Sequence, residues 1–269
     1  MEVTIRFAET SDTDALKTIW KICFGDGDAY INFFYEHCFC AENTVVASID
    51  NQVVGVVYML PAVFGDKTFL YGYAVGVLPE FRGNNICEKM HIFIKKYAEK
   101  NGFVYGLHPA NTKLFDYYRR IGLHDMYTLR TYDASSCEIG ASYTIQDVSP
   151  EEYFCLRKLC FPHMVLWEEN MISYICKEAV QFGGFVKKIW IGAEERIFLA
   201  KKNNDMLYIK ETTMTDPEIQ QASGYIKEYF DVKQMIFTLP NTSDLGTEEV
   251  MILGFGEKNT DVYMNLFLD

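Results

Sequence analysis

The segment Arg82-Gly-Asn-Asn-Ile-Cys87, called here the 82–87 turn, has the composition of an anion-binding turn. It follows a β-branched and aromatic run, Tyr71 to Leu78, which Pro79 ends because proline donates no hydrogen bond to a strand ladder. Apolar residues at helical spacing come next and stop at Asn101-Gly102. The first N–H groups of a helix lack partners within the helix, and the helix dipole is positive there. The pattern therefore favours a phosphate or pyrophosphate, although an ordinary strand-to-helix connection remains the alternative.

Individual residues of the turn support the anion interpretation. Arg82 adds a full positive charge, and Gly83 gives the backbone freedom. Asn84 and Asn85 are the type of non-glycine residue that best tolerates left-handed geometry.

A second segment of interest lies one strand further along the chain. Phe103 to Leu107 reads as a strand, and Asn111 is placed to cap the helix that follows. Gly122 stands just after the last turn of that helix. The positions predicted to face inward are Leu114, Phe115, Tyr118 and Ile121.

These two segments resemble two sequence blocks of the GNAT N-acetyltransferases. The first block is the acyl-CoA loop, usually Arg/Gln-x-x-Gly-x-Gly/Ala. Arg82 matches its first position, whereas Asn85 and Cys87 stand where small residues are expected. The resemblance extends over residues 1–135.

The second block is the Asn-x-x-Ala-x-x-x-Tyr-x-x-x-Gly-Phe segment of the same superfamily. Asn111, Tyr118 and Gly122 match it, while Leu114 and Leu123 replace its alanine and phenylalanine. Two such blocks in the right order are more specific than either alone.

The resemblance implies an α+β fold, with a mixed, mostly antiparallel sheet flanked by helices, and acetyl-CoA as co-substrate. Tyr118 would donate a proton to the departing thiolate. Asp269 is a candidate catalytic carboxylate because tandem relatives use their chain end in this way. Neither Glu80 nor His108 stands out as a base. The implied cofactor-binding residues are Val75, Val77, Arg82, Gly83, Asn84, Asn85, Ile86, Cys87 and Asn111.

Acyl transfer from a thioester to an amine makes three demands on a protein. The amine must lose its proton, because an alkyl ammonium titrates at about 10 and has no lone pair near neutral pH. The developing oxyanion needs a positioned hydrogen-bond donor. The leaving thiolate benefits from a proton donor.

Composition limits the possible partners. The 269 residues carry a formal net charge of −12, which argues against nucleic acid and weakly favours a small-molecule or peptide amine, although an acidic surface also serves solubility. The eight cysteines form no Cys-x-x-Cys pair, so neither a disulfide framework nor a metal site is expected. Without a signal segment or a membrane-length apolar run, the chain is expected to be cytoplasmic and free of membrane partners. Oligomeric state is not readable from the sequence.

An aromatic helix and an acidic turn precede the first predicted hairpin. Phe33, Phe34 and Tyr35 could wall an acceptor pocket or belong to the core. Asp26 and Asp28 could meet a cationic acceptor or serve the turn in which they lie. The hairpin pairs residues 44–49 with residues 52–60 across Asp50-Asn51.

The second half of the chain resembles a degenerate repeat of the first. The boundary is expected in the Ser- and Gly-containing stretch, giving a cofactor-binding domain at 1–137 and a degenerate domain at 138–269, with a last strand over residues 261–268. The turn equivalent to 82–87 is Glu211 to Glu218, which contains neither arginine nor glycine. Its carboxylates would repel a pyrophosphate, so this domain is not expected to bind a nucleotide-type cofactor.

Tandem use of the fold is similar to the enhanced-intracellular-survival acetyltransferases. The resulting prediction is an acetyl-CoA-dependent N-acetyltransferase with an unknown acceptor. Two alternatives remain open. One is a CoA-binding sensor or pseudoenzyme that acts through protein contacts, and the other is an aminoacyl-transferase-like tandem enzyme.

Overall fold

A computed structural model describes residues 2–160, 164–256 and 264. The first half of the chain contains β1 (Thr4–Phe7), α1 (Thr13–Phe24), α2 (Asp28–His37), β2 (Thr44–Ile49), β3 (Gln52–Phe64), β4 (Lys67–Val77), α3 (Ile86–Asn101), β5 (Val104–Leu107), α4 (Thr112–Arg120) and β6 (His124–Asp133). The second half contains β7 (Thr144–Asp147), α5 (Pro150–Cys160), α6 (Glu169–Gln181), β8 (Gly184–Ile191), β9 (Glu194–Asn203), β10 (Met206–Thr212), α7 (Asp216–Tyr229), β11 (Gln234–Pro240) and β12 (Thr247–Phe255). The predicted α+β class is confirmed.

The described residues divide into two compact units. The first contains residues 2–126 and 252–256, and the second contains residues 127–160, 164–251 and 264. The division therefore falls between Met126 and Tyr127, inside β6, whereas the sequence placed the boundary after residue 137.

In the first unit the strand order is β1-β2-β3-β4-β5-β12. Neighbouring strands are antiparallel except β4 and β5, which run parallel. Helix α1 packs on β3 and β4, while α3 contacts β1 to β5. The strands form because their residues are largely β-branched and aromatic, and every residue of β2 is buried.

The second unit repeats this arrangement. Its order, β7-β8-β9-β10-β11-β6, again has one parallel pair, β10 and β11, next to the last strand. Helices α5, α6 and α7 belong to it. The order of strands and the position of the parallel pair establish the second half as another copy of the first.

Each unit takes its last strand from the other half of the sequence. β6 follows α4 along the chain but pairs with β11, from Ile236 opposite Asp133 to Pro240 opposite Leu129. β12 follows β11 but pairs with β5, with Gly254 opposite Gly106. Because of this exchange, the boundary between the two units lies inside β6 and not after residue 137.

Local predictions agree closely with the elements. The hairpin of β2 and β3 turns at Asp50 and Asn51, whose φ angles are 49° and 65°. β6, α6 and β12 were not predicted. Of the strand predicted over residues 261–268, only Met264 is described, and it is buried. No described helix is both long and apolar enough to cross a membrane.

Candidate functional site

The pairing of β4 with β5 ends before β4 does. Its last pair is Gly72 opposite Leu107, and β4 continues from Tyr73 to Val77 without β5 beside it. None of the described strands pairs with this end of β4 on the side away from β3, so its edge is open with respect to them. An open strand edge presents backbone N–H and C=O groups to which an extended ligand can bond.

A β-bulge lies in the same part of β4. Val56 pairs with Gly76 but Tyr58 pairs with Tyr73, so β4 contains one residue more than β3 across this interval. Ala74 has a φ of 45°, a left-handed value that is uncommon for a non-glycine residue. A bulge leaves backbone groups outside the regular ladder and re-aims the neighbouring residues.

The 82–87 turn leads into α3 with left-handed backbone at two positions. Gly83 has a φ of 81°, and Asn85, the N-cap residue of α3, has a φ of 56°. The left-handed requirement explains an asparagine at position 85, because asparagine tolerates this geometry better than most residues. The Asn84 amide donates to the carbonyl of Phe81 over 3.0 Å and holds the turn together.

The N-terminus of α3 retains unused donors among the residues that the structure describes. The Asn85 side chain makes no capping hydrogen bond, so the N–H groups of the first turn, starting at Ile86, have no helical or capping acceptor. A Cβ built on Gly83 would have no atom within 4 Å, which leaves open space above the turn. Backbone donors, a helix dipole and an exposed arginine together fit a pyrophosphate. Glu88 adds a carboxylate to this turn, beside Cys87 and Tyr117.

Arg82 is attached to the end of β4. Its Nε donates to the Val77 carbonyl over 2.9 Å, and its Nη2 lies 3.8 Å from the Cys23 sulfur. The Cys23 thiol also donates to the Val77 carbonyl, over 3.4 Å. The carbonyl of Val77 is therefore engaged within the protein.

The direction of the remaining Val77 group follows from the ladder. Leu78 N–H donates to the Val54 carbonyl over 2.9 Å, which makes Val77 and Gly55 a non-hydrogen-bonded pair. Val77 thus directs its backbone groups away from β3, and its N–H faces the open edge. Because the Val77 carbonyl is engaged by Arg82 and Cys23, the N–H is the Val77 backbone group left for a ligand.

Tyr118 lies near the first turn of α3. It is 5% exposed, and burial, together with the nearby Cys87 and Tyr105, raises its pKa well above the ordinary value. A tyrosine hydroxyl is protonated at neutral pH in any case, so burial fixes the position of this donor and does not make it a stronger acid. Burial likewise raises the pKa of the Cys87 thiol to about 11, so this cysteine is a neutral small residue and not a thiolate.

A buried histidine that sequence analysis did not single out joins this cluster. His91 is 1% exposed, and its ring centroid lies 5.3 Å from that of Tyr118. Its Nδ1 lies 2.8 Å from the Cys87 carbonyl oxygen, and its Nε2 lies 3.2 Å from the Tyr105 hydroxyl. The available signal was its spacing, since His91 follows Cys87 by four residues and shares its face of the helix.

The remaining predicted site residues are distributed as follows. Asn111 is exposed and accepts a hydrogen bond from Leu114 N–H over 3.1 Å, so it caps α4 as predicted. Val75 is half-buried and adjoins the bulge. Asp269 lies outside the described residues. The structure thus brings β4, the 82–87 turn and Tyr118 to one end of the first unit.

The aromatic residues of α2 have mixed environments. Phe34 is fully buried against Trp20, whereas Phe33 and Tyr35 are half-buried. The Tyr35 and Tyr58 hydroxyls share a hydrogen bond of 2.6 Å, and burial raises the pKa of both groups. Phe34 therefore belongs to the core.

The two aspartates near the start of α2 have partners within the first unit. Asp26 accepts from the Trp20 indole over 2.8 Å. Asp28 pairs with Lys21 at 2.7 Å. Both carboxylates are thus engaged locally.

The equivalent end of the second unit is occupied by its own carboxylates. Glu218 accepts from Thr215 N–H over 2.7 Å in a capping box, and Asp216 accepts from Asp244 N–H over 2.7 Å. Glu211 is fully buried and pairs with Arg157 at 3.0 Å. Glu218 and Asp216 thus place carboxylates at the start of α7, where an anion would bind at α3. Across the parts of the chain that the structure describes, no group of three His, Cys, Asp or Glu side chains could hold a metal ion.

Comparisons with known proteins bear on the family and the fold. Residues 4–124 match the family model described as an acetyltransferase (GNAT) domain. Among solved structures, a GCN5-related N-acetyltransferase from Anabaena variabilis is 16% identical with a TM-score of 0.70, covering 94% of this chain and 72% of that one. Eis1 from Mycobacterium abscessus is 12% identical with a TM-score of 0.68, and the match covers 93% of this chain and 72% of that one.

A tandem GNAT protein from the clavulanic acid biosynthesis pathway is 12% identical with a TM-score of 0.57, and the match covers 96% of this chain and 100% of that one. No curated protein sequence matches the chain. At these identities the solved structures establish the fold. The resemblance to GNAT proteins in tandem, stated from sequence, is confirmed.

Proposed function

We propose that this chain, whose residues 4–124 form a GNAT acetyltransferase domain, is an N-acyltransferase that passes an acetyl group from acetyl-CoA to an amine. The observation that carries this proposal is the uncapped N-terminus of α3 beside the open edge of β4. A helix terminus with free donors favours a pyrophosphate, and an open edge favours an extended amide-containing arm. CoA contains both groups.

The residues that would hold the donor follow from this arrangement. The N–H groups of the first turn of α3, from Ile86 and Cys87 onward, and the Arg82 guanidinium would contact the pyrophosphate. The N–H of Val77 and the backbone of Val75 would contact the pantetheine arm. The Val77 carbonyl has a different role, since it holds Arg82 in place.

The chain's part in the chemistry rests on Tyr118 and the bulge. When bound, the thioester supplies an activated acyl carbon and a thiolate leaving group. The protonated Tyr118 hydroxyl would give its proton to that thiolate. A backbone N–H near the bulge at Ala74 would face the thioester oxygen and stabilise negative charge there. Asp269 stays a candidate for accepting the proton of the amine.

The acceptor class follows from charge. With a formal net charge of −12, the protein surface favours cationic molecules over nucleic acid, while Arg82 and the start of α3 provide local positive charge for the CoA pyrophosphate. We therefore propose a small-molecule or peptide amine as acceptor and no nucleic acid. The second unit would not bind CoA, because Glu218 and Asp216 already engage the donors at and near the start of α7.

Calorimetry with CoA and a thiol-release assay with acetyl-CoA test the proposal. We expect CoA to bind and acetyl-CoA to be consumed when a panel of amines is supplied. Arg82→Ala should weaken CoA binding by about tenfold, because a charge-assisted contact to phosphate is lost. Lys100→Ala removes the same charge from the other end of α3 and should leave the affinity unchanged.

Other outcomes would contradict the proposal in distinct ways. Binding without turnover of any amine would indicate a CoA sensor. Absence of binding at millimolar CoA would remove the assignment of the 82–87 turn altogether. Equal effects of Arg82→Ala and Lys100→Ala would show that general charge, and not this turn, attracts CoA.

A further inference from the structure

We propose that His91 is a positioning residue that, as a neutral imidazole, ties the first turn of α3 to Tyr105 and supports the ring of Tyr118. This inference rests on the proposed function, because its consequence is the placement of the tyrosine that would donate a proton. His91 lies within the first unit, as do all the groups it contacts.

Its tautomer follows from its two partners. The Cys87 carbonyl oxygen can only accept, so the Nδ1 atom 2.8 Å away carries the hydrogen and donates it. In a neutral ring Nε2 then has a free lone pair, and the Tyr105 hydroxyl 3.2 Å away donates to it. The Cys87 sulfur, 3.6 Å from Nδ1, is a third neighbour.

The neutral form also agrees with the surroundings. The imidazole is 1% exposed, and burial lowers its pKa to about 4. The titratable groups that face it are Cys87 on α3, Tyr105 on β5 and Tyr118 on α4. None of them is an anion at neutral pH, since burial raises the pKa of all three groups. The Cys87 carbonyl favours a protonated imidazole, but the effect of burial is larger, so the ring is neutral.

The contacts of His91 connect the elements that form the site. Its hydrogen bonds join α3 to β5, and its ring packs against Tyr118 of α4 at 54° between planes. Tyr105 is itself confined, because its hydroxyl lies so close to Gly72 that any side chain at that position would overlap it. Phe255 stacks on the Tyr105 ring at 6.0 Å between centroids.

A purely packing role would not require histidine. Burying an imidazole is unfavourable unless both nitrogens are bonded, and an apolar ring of similar size would fill the space at lower cost. Here both nitrogens have partners whose positions matter to the site. One is the carbonyl of Cys87 in the predicted anion-binding turn, and the other belongs to the strand that borders the opening.

Kinetics of matched variants test the positioning role. His91→Phe keeps a ring against Tyr118 but removes both hydrogen bonds, and Tyr105→Phe removes only the hydroxyl. Because small misplacements of reacting groups are costly, His91→Phe should lower kcat for acetyl-CoA turnover by about 10- to 100-fold and leave KM for acetyl-CoA largely unchanged. His91→Gln, whose amide oxygen can accept from Tyr105, should recover part of kcat.

Ile94→Val provides the control for stability. Ile94 is fully buried on the same helix, and its truncation should lower the thermal midpoint without lowering kcat. If His91→Phe, His91→Gln and Tyr105→Phe all keep wild-type kcat per folded molecule, the positioning role is wrong. Should His91→Phe fail to fold, the other two variants still decide the question.

Nitrogen-15 resonances of histidine-labelled protein give a readout that does not depend on turnover. We expect one imidazole in the Nδ1–H form that stays neutral at about pH 5.5, with an Nε2 shift that changes in Tyr105→Phe. An Nε2–H tautomer or a charged ring for His91 at that pH would overturn the inference. A wild-type protein without turnover would contradict the proposed function, and the resonances would still decide the arrangement of His91.

Discussion

Tyr118 shows how environment assigns a role to one residue. The sequence places tyrosines at positions 117 and 118, and both could reach the start of α3. In the structure burial raises the pKa of both tyrosines, but Tyr118 is buried whereas Tyr117 is half-buried beside the Cys87 thiol. Burial next to His91 gives Tyr118 the fixed position that proton donation requires.

Replacing Tyr118 by phenylalanine tests this assignment. The rate of acetyl-CoA turnover should fall at least about tenfold, because the leaving thiolate loses its proton donor. Tyr117→Phe should leave the rate largely unchanged. Steady-state kinetics with both variants make the comparison, and the reverse pattern would transfer the role to Tyr117.

At the scale of elements, the two helices that follow the parallel strands differ in what occupies their N-termini. The first turn of α3 has no capping side chain, and Arg82 lies beside it. Helix α7 has a complete capping box between Thr215 and Glu218. Two copies of one arrangement thus differ in whether anion-binding donors remain available.

A buried ion pair further distinguishes the second unit. Glu211 of β10 accepts from Arg157 of α5 and from the Tyr153 hydroxyl, and all three side chains are buried. Such a pair contributes little net stability while intact, but the loss of one partner leaves an uncompensated charge. The pair therefore joins α5 to β10, and each charge is tolerated in the interior only while the other is present.

Glu211→Gln should lower the free energy of unfolding by about 3–5 kcal/mol, because the Arg157 guanidinium stays buried without its anion. Asp205→Asn disrupts the exposed pair with Lys233 and should change the free energy of unfolding by about 0–1 kcal/mol. Urea denaturation measures both. Equal losses in the two variants would mean that the Arg157 guanidinium is not confined beside Glu211.

At the scale of the whole molecule, the exchange of β6 and β12 makes each unit depend on both halves of the chain. Leu253, Gly254 and Phe255 complete the sheet beside β5. The closest approach is at Gly254, where an added Cβ would overlap the Tyr105 carbonyl and the Met126 sulfur. The first unit therefore cannot form its complete sheet from residues 1–137 alone.

Gly254→Ala in the full chain tests this dependence. It should destabilise the first unit by about 1–3 kcal/mol through overpacking, and it should weaken CoA binding because Tyr105 is displaced. Gly140→Ala is the matched control, since the nearest atom to its Cβ would be 4.0 Å away. Thermal unfolding and CoA calorimetry serve as readouts. If the Gly254→Ala protein is destabilised but binds CoA with unchanged affinity, β12 does not contribute to the CoA site.

The sequence alone determined the features that depend on neighbours along the chain. Periodicity and turn residues place the hairpin at Asp50-Asn51, the cap at Asn111 and the strand-turn-helix around residues 82–87. The second copy is visible for the same reason, because its strands and helices repeat in order. Short-range dihedral preferences and capping carry this information locally.

Only the tertiary structure decided which groups meet across long separations. The pairing of β12 with β5, the engagement of the Val77 carbonyl by Cys23, and the hydrogen bond from Tyr105 to His91 all join residues far apart in sequence or on different elements. Strand pairing partners and buried polar contacts depend on how complete sheets and helices pack. Local conformational preferences do not determine that packing, so these contacts could not be predicted from the sequence.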